Sequence, residues 1–466
     1  MLPWKPVHTA LLGTLALCVA SLTTPRATYS QRSGSPTNFV DSVNGEGVSR
    51  TLTTNRNFDI TNPFFQPLGI NGRTCATCHP VGQGMTITPG YTAQVFAATQ
   101  GLDPLFAPVD GANSPVADMS TMQARQASCS MLLSKGLIRV GVPMLPNAEF
   151  TLEIIDDPYG YSNAMDVSCF RRPLPATNLR FLATVMWDGR ELIGQKSIMD
   201  ALAQQARDAV KGHMQALTPP TDSQVAQILN FETHLYTSQI YDNSVGSIDT
   251  RQIGAGPMEL VSLPFTPGIN DAFGISHSRQ PFNPNVFTFF QDWLPQHGGP
   301  MQNHPNTQPA QLSVARGEQL FNTRQFNITG VAGLNDVVGK TIIKGTCSSC
   351  HNTTGVGSAS LPLLLNTGIA DAALRTPDMP LYTLRNKKTH ESVQTTDPGA
   401  AMTTGKWSDI GKFKVPSLRG LETQSPYMHN GMSGDLLVIV NFYNTRFSVG
   451  LSAQDKADLA AFLKTL

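Results

Sequence analysis

Two five-residue stretches decide how this chain is interpreted: Cys75-Ala76-Thr77-Cys78-His79 and Cys347-Ser348-Ser349-Cys350-His351. Both follow the pattern C-x-x-C-H, which is typical of covalent haem attachment. The two thiols add to the porphyrin vinyl groups, and the adjoining histidine ligates the iron. Zinc sites and redox motifs also use C-x-x-C, but the histidine in both copies favours haem. The sequence therefore predicts two haem c groups, with Cys75, Cys78, Cys347 and Cys350 as attachment points and His79 and His351 as iron ligands.

The N-terminal segment predicts export. Lys5 precedes a short apolar run over 11–20, which is typical of a signal peptide, so we assign 1–20 to the signal. The next stretch is rich in Ser, Gly, Thr and Asn and predicts a flexible lead-in over 21–49. No later run reaches the roughly 18 apolar residues that a membrane helix needs. We therefore expect a periplasmic protein without a membrane span.

The charge composition argues against a nucleic acid partner. Lys plus Arg and Asp plus Glu are equal at 33 each, and charged residues make up only 14% of the chain. The cysteines outside the haem motifs and the signal are Cys129 and Cys169. In an oxidising compartment they favour a structural disulfide.

The distance between the haem motifs predicts one domain for each haem. We place an N-terminal haem domain at 50–300 and a C-terminal haem domain at 308–466, separated by a stretch rich in Gly, Pro, Asn and Gln. Apolar spacing predicts helices over 312–321 and 453–466 that pack on each other. A long insertion at about 81–175 contains β-branched runs over 136–142 and 148–156, which predict a small hairpin. The expected fold is mainly α, with two cytochrome c-type haem domains and a β-containing insertion in the first.

Further motifs carry a family resemblance. Trp187-Asp188-Gly189-Arg190 follows the first haem motif, and Phe413-Lys414-Val415-Pro416-Ser417-Leu418-Arg419 and Pro426-Tyr427-Met428-His429-Asn430-Gly431 follow the second. With the haem motifs, in this order, they resemble the bacterial dihaem cytochrome c peroxidase family, which includes MauG. The resemblance covers nearly all of the chain beyond the signal, apart from the insertion. It implies a peroxidase whose N-terminal haem reacts with hydrogen peroxide and whose C-terminal haem relays electrons.

The resemblance also implies a proton-transfer group near the first haem. The family's glutamate falls on Gln215, which cannot titrate, whereas the nearby His213 can shuttle a proton at neutral pH. We therefore assign His213 as the catalytic group with Gln215 as its hydrogen-bonding partner, the alternative being that His213 caps or packs on a helix. Many members close the first haem with a loop histidine, but no histidine lies between Pro80 and Trp187. Either this haem stays open or a more distant group, such as His213 or a methionine, closes it.

Three other roles follow from the resemblance. Trp187 matches the tryptophan that relays electrons between the haems, and Arg190 is expected to pair with a haem propionate. The position of the family's methionine ligand to the second haem falls on Tyr443, where MauG also has a tyrosine. Tyr443 is therefore the expected sixth ligand of that iron. The alternatives are a core position for Tyr443, on a helical stripe with Leu436, Val440 and Phe447, or ligation by Met428 or Met432.

The resemblance finally implies a calcium ion between the haems. Its carbonyl ligands would be Gln424 and Pro426, and the family's asparagine ligand falls near Arg172, with Asn178 close by. The expected partners are hydrogen peroxide and a small redox protein, either a cytochrome or a cupredoxin. Two alternatives stay open: MauG-like oxidation of a partner protein, and a non-catalytic dihaem electron carrier.

Overall fold

The computed structural model describes residues 38–276, 280–300 and 305–466. The predicted signal peptide at 1–20 lies outside the described residues, as does the predicted lead-in up to residue 37. In the rest of that lead-in the first strand begins at Phe39 and pairs along its length with the second. None of the described helices is long and apolar enough to cross a membrane.

The helices are mostly short. The α-helices in the described residues are α1 Cys75–Cys78, α2 Pro89–Thr99, α3 Met122–Ser128, α4 Ser130–Lys135, α5 Ile198–Gly212, α6 Asp222–Glu232, α7 Pro257–Ser262, α8 Gln308–Thr323, α9 Asn335–Val338, α10 Cys347–Cys350, α11 Ala401–Thr404, α12 Leu436–Arg446 and α13 Ala453–Lys464.

The strands form several small sheets. They are β1 Phe39–Val43, β2 Gly47–Thr53, β3 Ile138–Pro143, β4 Phe150–Asp156, β5 Asp166–Arg171, β6 Leu235–Asp242, β7 Gly246–Ser247, β8 Phe326–Thr329, β9 Ile342–Gly345, β10 Leu364–Leu365, β11 Leu381–Asn386, β12 Ser392–Thr395 and β13 Phe413–Lys414. Their orders are β1-β2-β6-β7, β12-β11-β4, β3-β5, β8-β9 and β10-β13.

The predicted mainly α fold is wrong. Helices hold 34% of the described residues and strands 17%, and the strands build several sheets in both halves of the chain. The contacts of the described residues group as one unit. The division into haem domains at 50–300 and 308–466 therefore stays a prediction.

Two helices of the C-terminal half lie where the apolar spacing predicted them. α8 and α13 pack on each other, as predicted, around a core that contains Phe321 and Phe462. The two backbones approach so closely at Gly317 that a Cβ atom there would lie 2.0 Å from the carbonyl oxygen of Asp458. The carboxylate of Asp458 also accepts hydrogen bonds from Ser313 at 2.6 Å and from Arg316 at 2.7 Å.

The predicted hairpin in the insertion is wrong in its pairing. Both runs form strands, β3 and β4, but β3 pairs with β5 and β4 pairs with β11. The partner of β4 comes from the C-terminal half, so the apolar side chains Phe150 and Leu152 pack with Tyr382 and Leu384. A pattern of alternating residues fixes a strand but not its partner.

The predicted disulfide is also wrong. Cys129 and Cys169 are both free and buried. Cys129 packs with Phe96 and Phe106, whereas Cys169 packs in a different cluster with Phe150 and Tyr382. Both thiols therefore act as small apolar groups in separate parts of the core.

Candidate functional site: two cavities and the residues between them

Each C-x-x-C-H motif is one helical turn at the wall of its own cavity. α1 begins after Thr74, whose backbone N–H donates to Thr77 Oγ1 at 3.0 Å, and α10 begins after Thr346, whose N–H donates to Ser349 Oγ at 2.9 Å. These reciprocal caps close turns too short to be stable alone. The histidine follows directly, and its N–H bonds the carbonyl of the first cysteine in both motifs.

The cavities are large and mainly apolar. Cys75, Cys78 and His79 line the first cavity, of about 170 Å³, and Cys347, Cys350 and His351 line the second, of about 220 Å³. By the same measure a single water needs about 10–15 Å³. Each cavity therefore has room for a group far larger than water beside two thiols and an imidazole.

The histidines are held in the tautomer that a metal requires. His79 Nδ1 lies 2.9 Å from the carbonyl oxygen of Met85, and His351 Nδ1 lies 2.6 Å from that of Gly357. Because a carbonyl oxygen can only accept, Nδ1 carries the proton in both rings, and in this tautomer Nε2 has the lone pair that could bind a metal. Burial lowers the pKa of both imidazoles, which keeps them neutral.

These features fit haem c and not zinc. The four motif cysteines are free thiols, and burial raises the pKa of Cys78, Cys347 and Cys350 to about 12. A zinc site needs thiolates, usually four ligands together. Across residues 38–276, 280–300 and 305–466 no group of three or more His, Cys, Asp or Glu side chains is arranged to hold a metal ion.

Trp187 lies between the two cavities and lines both of them. Its side chain is 9% exposed, and its indole Nε1 donates to the carbonyl oxygen of Arg172 at 2.8 Å. The ring meets His429 edge to face at 6.2 Å between centroids, and His429 stacks on Phe413 at 3.9 Å. The indole orientation is therefore fixed by one hydrogen bond and by aromatic packing.

Arg190 lines the first cavity, but its guanidinium already has a protein partner. It donates to Asp188 from Nε at 3.0 Å and from Nη2 at 2.6 Å. Asp188 also binds Arg171 at 2.6 Å, and Arg171 binds Asp397 at 2.7 Å. Burial alone would raise the pKa of Asp188, but Arg171 and Arg190 hold it well below its usual range. Arg190, which we predicted to pair with a haem propionate, is thus already paired with the carboxylate of Asp188.

His213 caps the C-terminus of α5 and lines the first cavity together with His79. Its Nδ1 hydrogen-bonds Asp110, whose other carboxylate oxygen pairs with Arg73. Asp110 is 5% exposed, and although burial would raise its pKa, Arg73 and His213 hold that pKa below its usual range. Sequence reasoning missed Asp110, because it lies in the insertion and no local motif marks it.

The loop before the first haem motif fixes the backbone around His213. Asn71 Nδ2 donates to the carbonyl oxygen of His213 at 2.8 Å. A Cβ atom on Gly69 would lie 1.9 Å from the carbonyl oxygen of Met214. Gln215 has a left-handed backbone with φ of 55° and accepts from Asn71 at 3.3 Å. His213 and Met214 line the cavity, but Gln215 is not among its described lining residues.

Glu232 is the second residue that sequence reasoning missed. It ends α6, is 6% exposed and lines the first cavity. Burial raises the pKa of its carboxyl to about 8. A buried, titratable carboxyl in such a cavity is a candidate proton carrier. Its signal in the sequence is weak, since any glutamate can end an amphipathic helix.

Tyr443 lies on α12 at the wall of the second cavity, which Met428 also lines. Its ring stacks on Phe447 at 6.1 Å with an interplanar angle of 9°, and burial raises the pKa of its hydroxyl. The same helix buries Leu436 and Val440, as the predicted stripe requires. Tyr443 therefore lies in the apolar stripe and also at the wall of the second cavity, and its ligation of an iron stays a prediction.

Two of the residues expected to bind calcium, Asn178 and Gln424, already have hydrogen-bond partners within the chain. The amide of Asn178 bonds the backbone of Thr237, donating at 2.9 Å and accepting at 3.1 Å. The carbonyl oxygen of Gln424, two residues before Pro426, accepts from the guanidinium of Arg172 at 3.3 Å.

No protein-family model matches the chain. Curated relatives do match part of it. A cytochrome-c peroxidase of Denitromonas iodatirespirans, IdrP2, is 35% identical over 136 residues, which cover 26% of this chain and 36% of that protein. A cytochrome-c peroxidase of Pseudomonas sp. (strain SCT), IdrP1, is 32% identical over 143 residues, with 26% and 37% covered. The methylamine utilization protein MauG of Paracoccus denitrificans (strain Pd 1222) is 56% identical over 34 residues, with 7% and 9% covered.

The chain resembles cytochrome-c peroxidases and MauG. The resemblance predicted from the motifs is thereby confirmed. The chain matches little more than a third of the length of these peroxidases. Among solved structures, a MauG-like protein associated with microbial copper homeostasis aligns over 87% of this chain and 86% of its own, with 14% identity and a TM-score of 0.38.

Proposed function

We propose that this chain is a periplasmic dihaem c-type peroxidase that reduces hydrogen peroxide in the cavity of His79. Electrons pass between the two cavities by way of Trp187. The observation that supports it most is the position of Trp187 in the wall of both cavities, each of which carries a C-x-x-C-H motif. The resemblance to cytochrome-c peroxidases agrees with this chemistry. The predicted signal at 1–20 supports the periplasmic location.

The chain would hold one haem in each cavity. Cys75 and Cys78 would provide the covalent bonds and His79 an iron ligand in the first cavity. Cys347, Cys350 and His351 would do so in the second, where Tyr443 would be a further iron ligand. A bound haem supplies the redox-active iron that exchanges electrons with peroxide. Arg190, which lines the first cavity, would contact a haem propionate while it keeps its hydrogen bonds to Asp188.

Peroxide reduction also needs proton transfer, and His213 is suited to it. Reduction of one peroxide to two waters consumes two electrons and two protons, so a group beside the substrate must deliver protons to its oxygens. Asp110 binds the imidazole at Nδ1, which leaves Nε2 as the nitrogen able to exchange a proton with a molecule in the cavity. The electrons come from a small redox protein, a cytochrome or a cupredoxin.

A second candidate function is MauG-like oxidation of side chains on a partner protein. Tyr443 in the second cavity favours it, because a phenolate ligand stabilises oxidised iron relative to a methionine. The absence of histidine between Pro80 and Trp187 favours a first haem that stays accessible without prior reduction.

The spin states of the holoprotein test the proposal. The ferric optical and EPR spectra should show one high-spin haem, and stoichiometric peroxide should remove its signal. Turnover with a reduced cytochrome or cupredoxin then supports the peroxidase. Peroxide reaction that persists without turnover of these donors points to the oxidation of a partner protein. Two low-spin haems that ignore peroxide before and after reduction would instead identify an electron carrier.

A further inference from the structure

The guanidinium of Arg172 is buried in the region where the resemblance places a calcium ion. The residue is 4% exposed. Its Nη2 donates to the carbonyl oxygens of Ile87 at 2.6 Å, Gln424 at 3.3 Å and Ser425 at 3.3 Å, and its Nη1 donates to that of Gly136 at 2.9 Å. Backbone carbonyls from three separate segments of the chain therefore converge on one cation.

The oxygen shell around Arg172 is neutral. Burial lowers the pKa of the guanidinium to about 9, and no acidic group offsets that effect. Within the described ranges no carboxylate forms an ion pair with it. Carbonyl oxygens are also the ligands that proteins offer to hard cations such as calcium. The shell is thus of the kind that stabilises a cation, and a positive charge of the chain already fills it.

A glycine leaves the space that the guanidinium of Arg172 occupies. A Cβ atom on Gly136 would lie 1.9 Å from Arg172 Nη1, and the left-handed backbone of Gly136, with φ of 62°, favours glycine independently. The space that the guanidinium occupies therefore depends on a residue without a side chain.

The backbone of Arg172 ties the same point to Trp187. Its N–H donates to the carbonyl oxygen of His429 at 2.7 Å, and its own carbonyl accepts from Trp187 Nε1 at 2.8 Å. Arg172 also lines both cavities. A change at this position would therefore reach the tryptophan and both haem cavities.

We infer that Arg172 is the resident cation between the two cavities and replaces a divalent metal ion there. Its guanidinium holds the carbonyls of Ile87, Gly136, Gln424 and Ser425 together, and the protein requires no calcium. The inference rests on contacts within the chain and does not depend on peroxidase activity.

Elemental analysis and thermal unfolding of the wild-type holoprotein provide the first test. Protein purified from a calcium-containing medium should hold no stoichiometric calcium, and its melting midpoint should be the same with excess EGTA as with millimolar calcium. One equivalent of calcium, or a midpoint that falls with EGTA, would overturn the inference. This arm needs no variant.

Substitution of the cation provides the second test. Arg172→Asn removes the charge and adds a carbonyl oxygen suited to calcium. Its melting midpoint should fall below that of wild type, and millimolar calcium should raise it again while magnesium does not. The matched control is the exposed Arg251→Asn, whose midpoint should ignore both ions. An Arg172→Asn protein as stable as wild type in EGTA would contradict the role of Arg172; if the variant does not fold, the wild-type arm decides.

Discussion

His213 Nδ1 forms a hydrogen bond to the carboxylate of Asp110, a residue more than a hundred positions earlier in the chain. Asp110 belongs to the long insertion, and His213 caps the helix that forms part of the first cavity wall. Arg73, next to the first haem motif, binds the other oxygen of the same carboxylate. The insertion is therefore part of the candidate active site and not a separate surface feature.

Replacing His213 by Ala should slow the reaction with peroxide by about 10²–10⁴-fold, the usual effect of losing a general acid–base group. Haem content and the absorption spectrum of the resting protein should stay the same. Stopped-flow absorbance at stoichiometric peroxide measures the rate. An unchanged rate would assign proton transfer to another group, with Glu232 the first candidate.

Asp110→Asn tests a positioning role. The amide can still bond the imidazole but carries no negative charge, so kcat should fall, though less than in His213→Ala, while the KM for peroxide stays the same. Asp118→Asn, at an exposed position of the same insertion, is the matched control. A KM that changes as much as kcat, or a lower haem content, would indicate a structural effect only.

Tyr443→Phe should change the spectrum of the second haem. Loss of a sixth ligand converts that haem from low to high spin, which EPR and the visible bands detect. The first haem should keep its signal, because Tyr443 lines the second cavity and does not line the first. If both EPR signals persist, Tyr443 belongs to the apolar stripe of α12 and Met428 becomes the ligand to test.

Glu232→Gln should alter how stability depends on pH. The folded-state pKa of about 8 lies above the 4.5 of a free glutamate, so the native state favours the protonated form. The contribution of the protonated carboxyl to the free energy of unfolding is complete below pH 4.5 and is lost as the pH rises through 8. Glutamine stays neutral, so the free energy of unfolding of this variant should exceed that of wild type by roughly 1–4 kcal/mol between pH 5 and pH 8.5. Thermal unfolding at each pH measures the difference, and parallel curves would show that this carboxyl does not titrate in that range.

Trp187→Phe should slow electron exchange between the haems while each haem keeps its own spectrum. Phenylalanine preserves aromatic packing on His429 but is far harder to oxidise and cannot bond the Arg172 carbonyl. Trp407→Phe is the control, since Trp407 packs on Phe150 in another part of the molecule. Equal interhaem rates in both variants would remove Trp187 from the electron path.

Local patterns predicted local structure well. The haem motifs, α8 and α13 follow from spacing within a few residues, and their packing follows from one apolar face on each. Pairings between distant segments were not accessible in this way. β4 has an alternating sequence that fits any neighbouring strand, and the partner it takes, β11, lies more than two hundred residues away.

The site shows the same division. His79, His351 and Trp187 could be named from motifs, because each motif carries its own chemistry. Asp110 and Glu232 could not, since their role comes from burial beside a cavity that distant segments enclose. The sequence placed Arg172 near an expected calcium ligand, but the contacts of its guanidinium became visible only with the carbonyls around it.

The pairing of β4 with β11 has a practical consequence for dissecting this protein. A fragment that stops near residue 300 would keep β4 but lose β11, and a fragment that starts there would keep β11 with one bare edge. Each would present unpaired backbone donors and acceptors and the apolar side chains beneath them, which invites aggregation. Single-haem forms are therefore better made in the full-length chain, by replacing the cysteines of one motif, than by truncation.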